Sequence, residues 1–239
     1  MKRMIESKPK ERVFMLGDQV TQATVSNIIK SIWEINIEDS ERERQFVGYE
    51  RPPIHLILNT YGGSVYDGLG LIGAMECSET EVHVTVLGSA MSMGLFILCA
   101  GHHRRMHAYS TLMYHQISTV SMDKLEGIKK DLVECTRLEQ LCESILAKKT
   151  KLTQKELDNH KQTKGEWYID AAAAAKYGIV DEIIAGGLAF DSIKKIEKHL
   201  QNEERKAAKS KVNEPAKAAP KKTAPKKAAP KKTAKPKTK

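Results

Sequence analysis

Residues 82–100 read VHVTVLGSAMSMGLFILCA, and this stretch decides the fold class. Its first part is rich in β-branched residues and its last part is apolar throughout. This pattern predicts a buried strand followed by a helix that begins near Met93. Small residues join the two parts, and Ser92 lies among them. A strand that turns directly into a helix is the repeating unit of a layered α/β domain.

The same order of elements occurs once more, just upstream. Residues 54–58 have the pattern of a buried strand, Gly62 and Gly63 follow, and residues 65–76 have a helical pattern. The repeat supports an α/β fold built from strand–turn–helix units. The remaining predicted elements are strands over 12–16, 104–108, 111–115 and 179–184, and helices over 21–37, 121–149 and 171–176. A capping box at residues 153–156 predicts the start of one more short helix.

Two local patterns predict where helices begin and end. Residues 38–51 are highly charged and lead to Pro52-Pro53, which predicts a loop. Ser121 is the expected N-cap of the helix over 121–149. That helix carries an apolar stripe at near-heptad spacing, which requires a partner along its length, either the core or a second subunit.

Ser92 is the first candidate for chemistry. It lies at the predicted start of a helix, where unpaired N–H groups and the helix dipole favour negative charge. The pattern Ser92-Met93-Gly94 partly matches the G-x-S-x-G nucleophile turn, with Ala90 in place of the first glycine. The alternative is a turn of small residues that serves packing only.

Two further segments are compatible with a nucleophilic serine. Gly62-Gly63 follows a strand, so it is either a tight turn or a place where a backbone N–H can reach an oxyanion. His115 ends an apolar strand, so it is either a satisfied core histidine or the general base that a serine hydroxyl needs. The three pieces together favour an enzyme.

The charge of the chain is uneven. Residues 205–239 contain 14 Lys or Arg and one acid, a net +13, which leaves −4 for the rest of a chain whose total is +9. Recurring Pro and like charges predict that residues 201–239 form a disordered basic tail. Nucleic acid is a partner for the tail only, and the alternative is a solubilising or localising tail.

Several function classes are not supported. The first residues are polar, and no apolar run approaches the roughly 20 residues of a membrane span, so we expect neither a secretory signal nor a membrane partner. The four cysteines form no C-x-x-C pair, which favours reduced thiols and a cytoplasmic location. The histidines at 102, 103 and 107 suggest a metal site, but Arg104 and Arg105 lie among them and would repel a cation, so we expect no metal. No phosphate-binding loop is present, so ATP binding is not supported and we expect no cofactor.

The body of the chain, residues 11–187, resembles the proteolytic subunit of the Clp protease, the ClpP family. The segments that carry the resemblance are Leu58-Asn59 with Gly62-Gly63, Ala90–Gly94, Met113–Gln116 and Tyr177–Asp181. The resemblance implies a crotonase-like α/β fold with a long protruding handle helix. It also implies a serine endopeptidase that hydrolyses unfolded proteins inside two stacked seven-membered rings, a tetradecamer, together with a ring-shaped AAA+ unfoldase ATPase.

By position, the resemblance makes Ser92 the nucleophile and His115 the base. The third member of the family's triad is an aspartate, and the aligned residue here is Glu166. The N–H groups of Gly63 and Met93 would line the oxyanion hole. The implied substrate-binding positions are Gly62, Gly63 and Gln116.

Some residues depart from the family pattern. Tyr61 replaces a proline before the glycines, and residues 117–120 lack the usual glycines. Asp170 competes with Glu166 as the triad acid, although a helix cap is the simpler role for Asp170.

We expect three segments in the chain: a flexible segment over 1–10, a peptidase domain over 11–200 and the tail over 201–239. The alternatives are a non-catalytic ring or scaffold subunit and a crotonase-type acyl-CoA enzyme.

Overall fold

A mixed α/β domain with a mainly parallel sheet is seen in the computed structural model, which describes residues 11–162 and 165–185. The expected flexible segment 1–10, the end of the expected peptidase domain beyond 185 and the tail 201–239 lie outside the described residues. The α/β class predicted from the sequence is confirmed.

The sheet has seven strands within the described residues. They are β1 (Val13–Leu16), β2 (Ile54–Thr60), β3 (Val82–Met91), β4 (His103–His107), β5 (Thr111–Tyr114), β6 (Trp167–Ile169) and β7 (Glu182–Ile184). The main path is β1-β2-β3-β4-β7, and all of its neighbours are parallel. β5 is parallel to the end of β3, and β6 is antiparallel to β5.

Six helices accompany the described strands. They are α1 (Gln22–Gln45), α2 (Val65–Glu76), α3 (Met93–Ala100), α4 (Leu125–Lys149), α5 (Gln154–Gln162) and α6 (Ala171–Lys176). All eight residues of α3 are buried, which explains why residues 93–100 are apolar without alternation. In the described ranges, no helix is long and apolar enough to cross a membrane.

β3 is the strand that places the site. Its first half pairs with β4 over residues 83–86, and its last residues pair with β5 over 89–91. Its register against β2 shifts between these halves, where Ser89 N–H donates to the Asn59 side-chain oxygen at 3.1 Å. Such an irregularity redirects a strand. The end of β3 therefore leaves β4 and runs beside β5.

Three local predictions were wrong. The small residues before Ser92 belong to β3 and are not a separate turn. The charged residues 38–45 continue α1, because the Arg42–Glu38 pair at 2.7 Å and a buried Asp39 suit a helix. Ser121 does not cap α4, since its hydroxyl donates to Asp131 and α4 begins at Leu125.

Asp39 is the centre of a buried polar network. It is fully buried on α1 and accepts hydrogen bonds from Arg12 at 3.0 Å, Tyr49 at 2.7 Å and Thr80 at 2.7 Å. Burial acts to raise the pKa of Asp39, but the hydrogen bonds from these three residues outweigh it and lower the pKa below its usual value. The network joins α1 to β1 and to the loop before β3.

We expect Asp39→Asn to lower the free energy of unfolding by roughly 3–5 kcal/mol, because the Arg12 charge loses its buried partner. Urea unfolding at neutral pH measures this change. Glu34→Gln is the matched control, since Glu34 forms an exposed i,i+4 pair with Lys30 on the same helix and should cost under about 0.5 kcal/mol.

The Asp39 contribution should also depend on pH. A carboxylate with a lowered folded-state pKa stabilises the fold fully above its unfolded pKa of about 4 and loses that contribution as the pH falls further. The wild-type chain should therefore lose more stability than Asp39→Asn between about pH 5 and the folded-state pKa. Equal pH dependence in both proteins would contradict this account.

Candidate active site

Ser92 has a strained backbone at the junction of β3 and α3. Its φ is 52° and its ψ is −122°, and it is the one non-glycine residue with positive φ in the described part of the chain. Such a conformation costs of order 1–3 kcal/mol and persists where the surroundings hold it. Here the Ser92 N–H donates to the Met113 carbonyl at 2.8 Å, and the helix that follows is entirely buried.

Gly62 brings a second backbone against Ser92. A Cβ on Gly62 would lie 2.7 Å from the Met91 carbonyl oxygen, 2.7 Å from Ser92 Cβ and 3.1 Å from the Met93 nitrogen. The Gly62 φ is 98°, which side chains rarely adopt. Only glycine allows this approach, so the end of β2 meets the start of α3 at Ser92.

Two backbone N–H groups beside this contact are free. The Gly62 N–H donates to Thr60 Oγ1 at 3.1 Å, and the Ser64 N–H donates to the Val20 carbonyl at 2.8 Å. The Gly63 N–H between them has no hydrogen-bond partner among the described residues, and neither has the Met93 N–H. Met93 is the first residue of α3, where an unpaired N–H is expected.

His115 follows β5 directly and lies opposite the expected acid. The antiparallel register pairs Tyr114 with Trp167, so the next step sets His115 across from Glu166. Both residues line one cleft of about 330 Å³, and Gln116 lines it as well. His115 is half-buried and makes no hydrogen bond to another described residue, which favours a role in the cleft over that of a satisfied core histidine.

β5 also links His115 to Ser92. Met91 pairs with Met113 in the parallel register, and the Ser92 N–H bonds to the Met113 carbonyl. His115 lies two residues after Met113, just past the end of β5. The Ser92 hydroxyl is half-buried and makes no hydrogen bond within the described residues, His115 included. Catalytic hydrogen bonds are often long without substrate.

The two candidate acids have different partners. The exposed Glu166 carboxylate accepts a hydrogen bond from the Tyr168 hydroxyl, which is the main reason that the pKa of Tyr168 is raised. The Asp170 carboxylate accepts from the Ala173 N–H at 2.8 Å and caps α6, as the sequence predicts. Asp170 is therefore used by the fold, whereas Glu166 faces the cleft that contains His115.

The sequence analysis missed Tyr168. The signal was available, because residues two apart on a strand share a face and Glu166 immediately precedes β6. Because Tyr168 is 56% exposed, its residue type alone does not indicate a role in the site. In the described ranges, no group of three or more His, Cys, Asp or Glu side chains is placed to hold a metal ion.

Comparison with known proteins assigns the family. The profile described as Clp protease matches residues 2–187, most of the chain. The chain belongs to the Clp protease family. A relative from Prochlorococcus marinus subsp. pastoris, named ATP-dependent Clp protease proteolytic subunit 1, is 30% identical over 178 residues, 73% of this chain and 84% of the relative. A Synechococcus protein named proteolytic subunit 2 of the same protease has the same identity and coverage.

The close contact at Gly62 can be tested by adding a Cβ to this residue. We expect Gly62→Ala to lower the free energy of unfolding by roughly 1–3 kcal/mol, because the added Cβ clashes with backbone and the φ is unfavourable. Gly73→Ala is the control, since Gly73 is an exposed position of α2 where a Cβ meets nothing within 4 Å. This substitution should stabilise the fold by about 0.5–1 kcal/mol. Urea unfolding should show that the two substitutions change the free energy of unfolding in opposite directions. Equal changes would contradict a close contact at Gly62.

Proposed function

We propose that this chain is a serine endopeptidase of the Clp type, with Ser92 as nucleophile, His115 as general base and Glu166 as the acid that orients the base. The observation that carries the proposal is the strained Ser92 beside the free Gly63 and Met93 N–H groups. The family assignment and relatives named as proteolytic subunits support it.

The first step is attack on the peptide carbonyl. His115 takes the proton of the Ser92 hydroxyl as the oxygen attacks, because a free hydroxyl is too weakly acidic to react unaided. The carbonyl oxygen becomes an oxyanion against the Gly63 and Met93 N–H groups. One such donor lowers the barrier by about 3 kcal/mol, roughly a hundredfold in rate. His115 then protonates the leaving amine, and water releases the acyl group.

Glu166 replaces the aspartate that is usual in the family. A carboxylate at this place holds the neutral imidazole in the correct tautomer and stabilises the imidazolium. Glutamate is one methylene longer, and the Tyr168 hydroxyl holds one of its oxygens. Tyr168 thereby limits the conformations of the longer side chain beside the His115 cleft.

The substrate binds as an extended strand next to the Gly62-Gly63 backbone, and Gln116 contacts it from the cleft. The Clp-type assembly that we propose consists of crotonase-like subunits in stacked heptameric rings, served by an AAA+ unfoldase in the cytoplasm. The N-terminal half of α4 supports a handle helix between rings, because its large apolar residues are exposed. These residues are Leu125, Ile128, Leu132 and Val133. Nucleic acid remains a proposed partner of the tail only.

Ser92→Ala should lower the kcat for a fluorogenic peptide by at least about 10⁴-fold while the assembly survives. Ser89→Ala is the control three residues upstream, and it should keep activity because the Ser89 hydroxyl hydrogen-bonds only Asn59 and Thr60 among the described residues. A fluorophosphonate should add mass at Ser92. Full activity of Ser92→Ala would refute Ser92 as the nucleophile. An unlabelled wild-type serine in an inactive assembly would favour the non-catalytic ring subunit instead.

The identity of the acid is tested by two amide variants. Glu166→Gln should lower kcat by about 10²- to 10⁴-fold, because the amide favours the wrong histidine tautomer. Asp170→Asn should leave kcat within about twofold, since asparagine is also a good N-cap. Steady-state kinetics on the full chain compares them. The reverse order of effects would make Asp170 the triad acid.

A further inference from the structure

A buried carboxylate behind the proposed catalytic strand is not used by the mechanism above. Glu143 on α4 is 5% exposed. One of its oxygens accepts hydrogen bonds from the Tyr114 hydroxyl at 3.0 Å and from Lys161 Nζ at 2.8 Å, and the other accepts from Gln154 at 2.8 Å. A buried carboxylate needs such partners, because an uncompensated one costs several kcal/mol.

Tyr114 holds Glu143 next to the catalytic strand. It is the last residue of β5, is buried and directly precedes His115. Burial, followed by the nearby Glu143 charge, raises the Tyr114 pKa, so its hydroxyl remains a donor. Its ring also packs edge-on against Phe96 of α3, with centroids 6.4 Å apart. Tyr114 therefore connects Glu143 to both elements that carry the proposed nucleophile and base.

Lys161 places a positive charge in the cleft of the proposed acid. It lines the same cleft as His115 and Glu166. Its ammonium group is held by Glu143 and by Asp158, at 2.8 and 3.0 Å. Burial acts to lower the Lys161 pKa, but the hydrogen bonds to these two carboxylates outweigh it and raise the pKa. Lys161 therefore remains charged in a cleft that contains the exposed Glu166 carboxylate.

We propose that Glu143 is a positioning residue that anchors Lys161 and thereby keeps Glu166 available to His115. The inference rests on the proposed function, since it assigns a role in the same reaction. Without the Glu143 charge, the Lys161 ammonium keeps only the Asp158 carboxylate as a partner and can pair with Glu166, which lines the same cleft. The imidazolium of His115 then loses the negative charge that stabilises it.

The test is a double-mutant cycle on the full-length assembled chain with a fluorogenic peptide. Glu143→Gln keeps the shape and accepts the Tyr114 hydrogen bond but cannot neutralise Lys161. We expect its kcat to fall about tenfold, with KM within about twofold, because the loss concerns the transition state. Adding Lys161→Gln should restore kcat to within about threefold of the wild type, since the Lys161 ammonium then no longer competes for Glu166.

The same helix offers a matched control. Glu134 accepts hydrogen bonds from Tyr66 and Arg137, so it has the same tyrosine–glutamate–cation arrangement, but at the surface and away from the cleft. Glu134→Gln should leave kcat unchanged. If Glu143→Gln does not assemble, Asp158→Asn removes the exposed anchor instead. It should lower kcat two- to threefold, and Lys161→Gln should again reverse the loss.

A crystal structure of Glu143→Gln decides the inference independently of activity. Lys161 Nζ within 4 Å of the Glu166 carboxylate supports it, and Lys161 still held by Asp158 alone overturns it. Wild-type kcat in Glu143→Gln, or a loss that Lys161→Gln does not reverse, overturns it as well. A wild-type chain that cleaves no peptide and takes up no fluorophosphonate would instead count against the proposed function.

Discussion

The backbone of Gly62 lies against the backbone and side chain of Ser92, and the rest of the site is arranged around this contact. It requires that residue 62 have no Cβ and that Ser92 keep a φ of 52°. The bond from the Ser92 N–H to the Met113 carbonyl brings in β5 from the other side. Ends of three strands thus meet at the first residue of a buried helix, where unpaired N–H groups favour negative charge.

The cleft beside β5 shows how the fold controls charge near a reacting group. Glu166 faces His115, the Tyr168 hydroxyl engages Glu166, and Lys161 is held by Glu143 and Asp158. These side chains place charges of both signs beside His115. In the proposed mechanism, the Tyr168 hydroxyl, two residues further on the same face, supports the longer side chain of Glu166.

Much of the fold could be predicted from local patterns. The strand-then-helix order of the two units, the cap at Asp170 and the placement of Ser92 before a buried helix all follow from periodicity and capping within short segments. These features were predictable because the residues that determine them are neighbours in the chain.

The wrong predictions and the omissions concern features that are determined by residues far apart in the sequence. The charged end of α1 is helical because Asp39 binds Arg12, Tyr49 and Thr80, and no local pattern indicates those partners. The strand shift that sends the end of β3 beside β5 depends on Asn59, thirty residues away from Ser89. The buried contacts of Glu143 could not be predicted for the same reason, since its partners Tyr114 and Lys161 come from other elements.

The central claim is that one hydroxyl, one imidazole and two backbone N–H groups meet at a single carbonyl carbon. A crystal structure of the assembled chain with a peptide boronate tests this most directly, because the boron imitates the tetrahedral intermediate. We expect the boron on Ser92 Oγ, one boronate oxygen within about 3.1 Å of the Gly63 and Met93 nitrogens, and the His115 ring hydrogen-bonded to the adduct. An adduct on another residue, or a boronate oxygen that faces away from both nitrogens, would contradict the account.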